Sequence, residues 1–148
     1  MVPFGTKLAF YLFCAERWGD RSMKLKHSAL AEVKAVRNCC SHNSCLLNGL
    51  AEGKSSTFET PHLVIEWLAN HGFKSTKSRR AKMGNRRTQQ LVACLAMLDE
   101  YRKDASPATL DSIQSLGNLL EDRAGRYGQE NSFVSYLSFI ARVIDSMN

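Results

Sequence analysis

The sequence predicts an all-α protein, a compact bundle of about five to six helices. Three observations carry this expectation. Apolar residues recur at spacings of three and four along most of the chain, no segment shows the period-two alternation of a half-buried strand, and Gly, Asn, Ser and Pro fall between the periodic segments. A length of 148 residues fits a single domain over residues 1–148. With 44% hydrophobic and 23% charged residues, the composition excludes a disordered chain, a collagen-like chain and a disulfide miniprotein.

The first helix is expected from about Thr6 to Trp18, with Leu8, Leu12 and Ala15 on one face. Ala9, Phe10 and Phe13 widen its apolar surface beyond what a surface helix needs, and Gly19-Asp20 ends it. Asp20–His27 reads as a basic loop. A second helix is expected to start at Ser28, a good N-cap residue, to bury Leu30, Val33, Val36 and Cys40, and to end near His42-Asn43 with Asn43 as a cap. Gly49–Phe58 reads as a loop. The third helix has Thr60 as cap, Pro61 in the first position, a stripe of Leu63, Val64, Trp67 and Leu68, and Gly72 past its end. Gly84-Asn85 breaks the chain before a fourth helix, about Arg86 to Arg102, with Leu91, Leu95 and Leu98 on one side. Ser106-Pro107 opens a fifth, with Leu110, Ile113, Leu116 and Leu120 inward. After a turn at Gly125–Asn131, a sixth uses Phe133, Leu137, Ile140 and Ile144.

The apolar run Leu8–Ala15 follows Lys7, but Glu16-Arg17 comes at once without a small-residue cleavage pattern. The run is also far short of the ~20 residues that span a bilayer, so no membrane association is expected. Five cysteines are present, Cys14, Cys39, Cys40, Cys45 and Cys94. An odd number, with two of them adjacent, suits a reducing cytoplasm better than a secreted disulfide framework.

Charge is distributed unevenly. Lys and Arg number 20 against 14 Asp and Glu, for a net charge of +6. Between Glu66 and Asp99 no acidic residue occurs, and this gap holds Lys74, Lys77, Arg79, Arg80, Lys82, Arg86 and Arg87. Setting those seven aside leaves 13 basic residues against 14 acidic ones, so the whole positive excess lies in Lys74–Arg87. Such a stretch is either a solvated loop or a surface that meets phosphate, and the absence of a neutralising carboxylate favours phosphate.

The segment Val36-Arg37-Asn38-Cys39-Cys40-Ser41-His42-Asn43 carries the candidate chemistry. Arginine presents a rigid fork of donors that matches phosphate oxygens, and histidine exchanges a proton near neutral pH. Five helical steps of ~100° set Arg37 and His42 ~140° apart, so they converge only if the helix bends or ends near Ser41. A converged pair can cleave RNA without a metal or any other cofactor. Histidine moves the proton of the ribose 2′-hydroxyl or of the leaving oxygen, arginine stabilises the charge on phosphorus, and Asn38 orients either group.

Arg37-Asn38-Cys39-Cys40-Ser41-His42 resembles the R-x4-6-H signature of HEPN domains, including the polar residue after the arginine. Leu30, Val33, Val36-Arg37-Asn38, Ser41-His42-Asn43 and Leu46-Leu47-Asn48 resemble the LRN-x-x-AHH-x-x-LWN block of Abi-like (abortive infection) bacterial proteins. Pro3-Phe4-Gly5-Thr6 is similar to the FGT that precedes the block, and Asn85-Arg86-Arg87 to a later N-R helix start. The resemblance implies a helical domain that dimerises so that two motifs form one composite cleft. It also implies a metal-independent endoribonuclease used as a toxin or in phage defence, with Arg37 and His42 catalytic, Asn38 supporting and an antitoxin as a possible partner. Relative to that pattern the chain starts almost at FGT, which reads as a short or N-terminally truncated form. Asn43 stands where a second histidine is common, Cys45 where a basic residue is common, and Leu47 where the block has Trp.

Other readings compete for these residues. Cys39, Cys40, His42 and Cys45, with His27, are zinc-ligand types, but their spacing is not that of paired structural ligands, and no metal site is expected. Cys40 with His42 is a poor nucleophile and base pair, since residues two apart on a helix do not face each other. His62 and His71 read as surface residues. Trp18, Trp67, Tyr101 and Tyr136 read as packing or interface residues before base-stacking ones. Three functions remain: a HEPN-type endoribonuclease with Lys74–Arg87 guiding the RNA backbone, an RNA-binding module without catalysis, and a dimerising partner domain of a toxin–antitoxin pair.

Overall fold

Helix boundaries in this chain are set by short polar residues and by positive-φ turns. The computed structural model describes residues 2–50, 53–127 and 131–147. Among these the protein forms seven α-helices, a short 3-10 turn at Arg102–Asp104 and no strand: α1 (Phe4–Arg17), α2 (Arg21–Ser41), α3 (His62–Asn70), α4 (Lys77–Met83), α5 (Arg86–Glu100), α6 (Pro107–Gly125) and α7 (Ser132–Asp145). Asp20, Thr76, Asn85, Ser106 and Asn131 each accept a hydrogen bond from a backbone amide in the first turn that follows. Pro107 opens α6, where its missing N–H costs nothing.

The all-α class holds, and the differences from expectation have local causes. The basic segment after Asp20 is helical, because the Asp20 carboxylate takes the Met23 amide at 2.9 Å and starts α2 seven residues before Ser28. The Ser28 hydroxyl turns back to the Leu25 carbonyl instead of capping. Thr60 does not cap α3 either, since its hydroxyl faces the Met83 carbonyl and the Gln89 amide. Thr76 makes part of the basic stretch into α4 rather than a loop. Of the two expected loops, Ala51-Glu52 in the first and Gly128–Glu130 in the second lie outside the described residues.

The ends of α1 and α3 share one pattern. Gly19 and Gly72 take positive φ after α1 and α3, and the amide beyond each reaches back to Ala15 and Leu68 respectively. The second of these turns drives Phe73 inward, where its ring meets Phe139 edge-on at 5.8 Å.

α5 is the central element. It buries Thr88, Gln89, Gln90, Val92, Ala93, Leu95, Ala96 and Met97, and it packs against α2, α3, α4 and α7. α7 is nearly as enclosed, and α6 lies along it. The buried face of α6 is Gly117, Leu120 and Ala124, so Leu116, expected inward, is exposed together with Leu119. Gly117 selects that face by letting α7 come close. No helix among the described residues is long and apolar enough to cross a membrane.

A Cβ at Gly117 would stand 2.9 Å from Ile144 Cγ2, inside the contact distance. Gly117→Val is therefore expected to lose about 1–3 kcal/mol of stability by overpacking. Gly125→Ala at the end of the same helix meets open space and should gain about 0.5 kcal/mol. Urea titration of both variants checks the pair.

Candidate functional site

The C-terminal end of α2 decides how Arg37 and His42 are presented. Asn43 has a left-handed φ of 51°, a conformation asparagine tolerates better than most residues. This sends the Ser44 amide back to the Cys39 carbonyl at 2.8 Å and the Asn43 amide to Cys40 at 3.3 Å. The helix stops at Ser41, and His42 is its C-cap with φ −103° and ψ 14°, its amide still bonded to the Asn38 carbonyl at 3.0 Å. Arg37 and His42 are exposed, and Asn38 is half-buried. Arg37 Nη1 donates to Asn38 Oδ1 at 3.2 Å, and the Ser41 hydroxyl donates to the Arg37 carbonyl at 2.9 Å. Among the described residues no hydrogen bond or ion pair joins Arg37 to His42, and none occupies the His42 ring.

Arg87 holds this end of α2 against α5. Its guanidinium donates to Cys39 Sγ at 3.1 Å, to the Asn48 carbonyl at 3.5 Å and to Gln90 Oε1 at 2.7 Å. One side chain thus braces the last turn of α2 and the chain that follows it. Its neighbour Arg86 pairs with Glu32 of α2 at 2.7 Å and lies 5.3 Å from the Phe58 ring centroid. Both arginines from the end of the basic stretch therefore position α2 and the 53–60 loop.

The other five basic residues lie on and before α4. Lys74, Lys77 and Arg80 are exposed. Arg80 holds the Ser75 carbonyl at 3.1 Å, and Arg79 holds the Phe73 carbonyl, so each spends one nitrogen on the turn before α4. Lys82 donates to the Ser78 hydroxyl at 2.9 Å, and burial, with the nearby Arg142 charge, holds its ammonium below the usual lysine range. Lys74, Arg79, Lys82 and Arg142 border a cleft of about 280 Å³.

Several site-forming residues escaped sequence reasoning. Glu32, Ser56, Asn85, Thr88, Gln89 and Gln90 are buried polar residues gathered at the start of α5. Glu32 had a signal: it falls at helical spacing with Ala29, Val33 and Val36 on the face that packs inward. Ser56 had none, because its partner Gln89 is 33 residues away.

His71, expected at the surface without a carboxylate nearby, is half-buried. Its ring lies tilted against Trp67, centroids 4.3 Å apart, with Nδ1 2.9 Å from the Trp67 carbonyl and Nε2 3.3 Å from Asp99. Trp67 Nε1 donates to the same Asp99 oxygen at 2.9 Å. α3 and α5 bring these residues together, a proximity that separation in sequence hides. Trp18 is 70% exposed rather than packed, whereas Tyr136 is buried. All five cysteines are free thiols, and burial raises Cys94 above the usual thiol range. Among the described residues no group of three His, Cys, Asp or Glu stands close enough to hold a metal ion.

Removing one member of the Arg86–Glu32 pair leaves the other charge without its partner in a largely buried place. Arg86→Ala is expected to cost about 3 kcal/mol, and Arg86→Ala with Glu32→Gln distinctly less than the sum of the two single changes. A double-mutant cycle by denaturant unfolding measures the coupling.

No family model, curated protein or solved structure matches the chain.

Proposed function

We propose that the protein is a metal-independent endoribonuclease of the HEPN type, acting as a toxin or in phage defence, with Arg37 and His42 as its catalytic pair. One observation carries the reading. α2 ends at Ser41 and the left-handed Asn43 turns the chain away directly after His42, so Arg37 and His42 both stand exposed at the last turn of the helix. Both side chains then extend from one exposed helix terminus, with Asn38 already bonded to the arginine.

The His42 imidazole accepts the proton of a ribose 2′-hydroxyl. The 2′-oxygen attacks the adjacent phosphorus, the bond from phosphorus to the 5′-oxygen breaks, and that oxygen leaves with the proton that the His42 imidazolium returns. The product ends are a 2′,3′-cyclic phosphate and a 5′-hydroxyl. Arg37 stabilises the charge that gathers on the phosphoryl oxygens, and Asn38 fixes its direction. In this reading a second copy brings its own Arg37 and His42 to make a composite cleft, and an antitoxin restrains the activity. Lys74, Lys77, Arg79, Arg80 and Lys82 attract the RNA backbone, while Arg86 and Arg87 shape the protein around it.

A second reading, a non-catalytic dimerisation or RNA-binding module, is favoured by the outer face of α1. Phe10 and Phe13 stack at 6.3 Å and are exposed, as is Trp18 at the C-terminal end of the helix.

Expression of the wild-type chain should arrest growth, and purified protein should cleave RNA in EDTA. Arg37→Ala and His42→Ala should each reduce cleavage about 10²–10⁴-fold without loss of helicity. Equal toxicity of all three chains, with RNA binding that weakens only on Arg79→Ala and Arg80→Ala, would transfer support to the second reading.

A further inference from the structure

A second cleft in the described structure does not involve Arg37 or His42. It has a volume of about 560 Å³ and lies between the 54–60 segment, α3 and the start of α4. That size falls within the usual range for small-molecule sites, ~300–1,000 Å³. Its walls divide by chemistry. Lys54, Arg79 and Arg80 supply cations, Phe58 and Ile65 supply apolar surface, and Glu59 supplies a carboxylate.

Phe58 is the informative residue. Its side chain is 68% exposed, yet the loop that carries it is fixed. Gln89 Nε2 donates to the Phe58 carbonyl at 3.1 Å, and the Phe58 amide donates to Ser56 Oγ at 3.2 Å. Gln89 is itself 2% exposed and also accepts from the Ser56 hydroxyl at 2.7 Å. The Arg86 guanidinium sits over the ring, so the aromatic is held from the protein side and left open toward solvent. A large apolar ring left this wet is unfavourable, and the Arg86 cation offsets only part of that exposure. It is, however, a ready stacking platform for a base.

We infer that this cleft seats one guanine nucleotide. The base stacks on Phe58. Its paired N1–H and N2–H₂ donors suit the acceptor-only carboxylate of Glu59, whose oxygens have no partner among the described residues. The phosphate meets Arg80 and Lys54. Arg80 spends only Nη1 on Ser75, and Lys54 is unpaired among the described residues. The nucleotide has two sources with this chemistry, a residue of single-stranded RNA or a free mononucleotide. The inference rests on the proposed function only for the first of these.

The test uses a short fluorescent oligomer of 2′-O-methyl uridine with one central guanosine, which 2′-hydroxyl attack cannot cleave. Anisotropy with the full chain compares it with the same oligomer carrying an abasic centre. Guanosine is expected to tighten binding about tenfold. Phe58→Ala should remove that difference and Phe58→Trp should keep it. Glu59→Gln should erase the preference for guanosine over adenosine. Arg80→Ala should weaken both oligomers and flatten the salt dependence. Guanosine 5′-monophosphate that displaces the oligomer at comparable concentration assigns the seat to the free nucleotide, and displacement only at large excess assigns it to RNA. Equal binding of guanosine and abasic oligomers, unchanged by Phe58→Ala, overturns the inference. Because none of these readouts needs cleavage, a chain that binds but does not cut leaves this seat standing. A chain that cuts but shows no guanosine dependence leaves only the Arg37/His42 reading.

Discussion

The N-terminus of α5 enters the interior of the protein, and each polar group it carries there has to find a partner. An unpaired buried donor or acceptor costs on the order of 1–3 kcal/mol, comparable to much of a domain's margin. Asn85, fully buried, meets this demand three ways: Oδ1 accepts from the Thr88 amide and hydroxyl, and Nδ2 donates to the Gly49 carbonyl at 2.7 Å. Gln89 binds Ser56, the Phe58 carbonyl and Thr60. Satisfying one helix start thereby ties down most of the chain between α2 and α3.

Both candidate sites inherit their rigidity from this cluster. Arg87 reaches from α5 to Cys39 and Asn48 and holds the terminus that presents Arg37 and His42. Arg86 reaches the other way, to Glu32 and over Phe58. Adjacent arginines at the start of one helix thus brace two separate surfaces. Glu32 Oε2 is a buried oxygen without a partner among the described residues, so the pair on its other oxygen is the chief compensation for burying that carboxylate.

The basic stretch divides by burial into two kinds of residue. Lys74, Lys77 and Arg80 project from the surface, where charge attracts a polyanion and is screened by salt. Arg86 and Arg87 lie at the helix start and are spent on neighbours. A run of like charge in sequence therefore does not correspond to one electrostatic patch. Which members face solvent depends on α4 ending at Met83 and Gly84-Asn85 turning the chain inward.

Sequence alone determined what local chemistry determines. The helical class, the starts of α5 and α6, the end of α3 at Gly72 and the end of α2 at Asn43 follow from capping residues and from residues that tolerate positive φ, because those preferences act over a single turn. The position of the Arg37–Asn38–His42 segment at a helix terminus was legible for the same reason. Tertiary structure decided everything that depends on residues distant in the chain. It turned Leu116 outward because Gly117 meets Ile144, and placed His71 on Asp99. It also set Phe58 at the rim of a cleft by hydrogen bonds to Gln89, some thirty residues away. Periodicity states that a helix has an apolar face. Only the packing of the other helices states which partner that face meets and which polar side chains are carried inside with it.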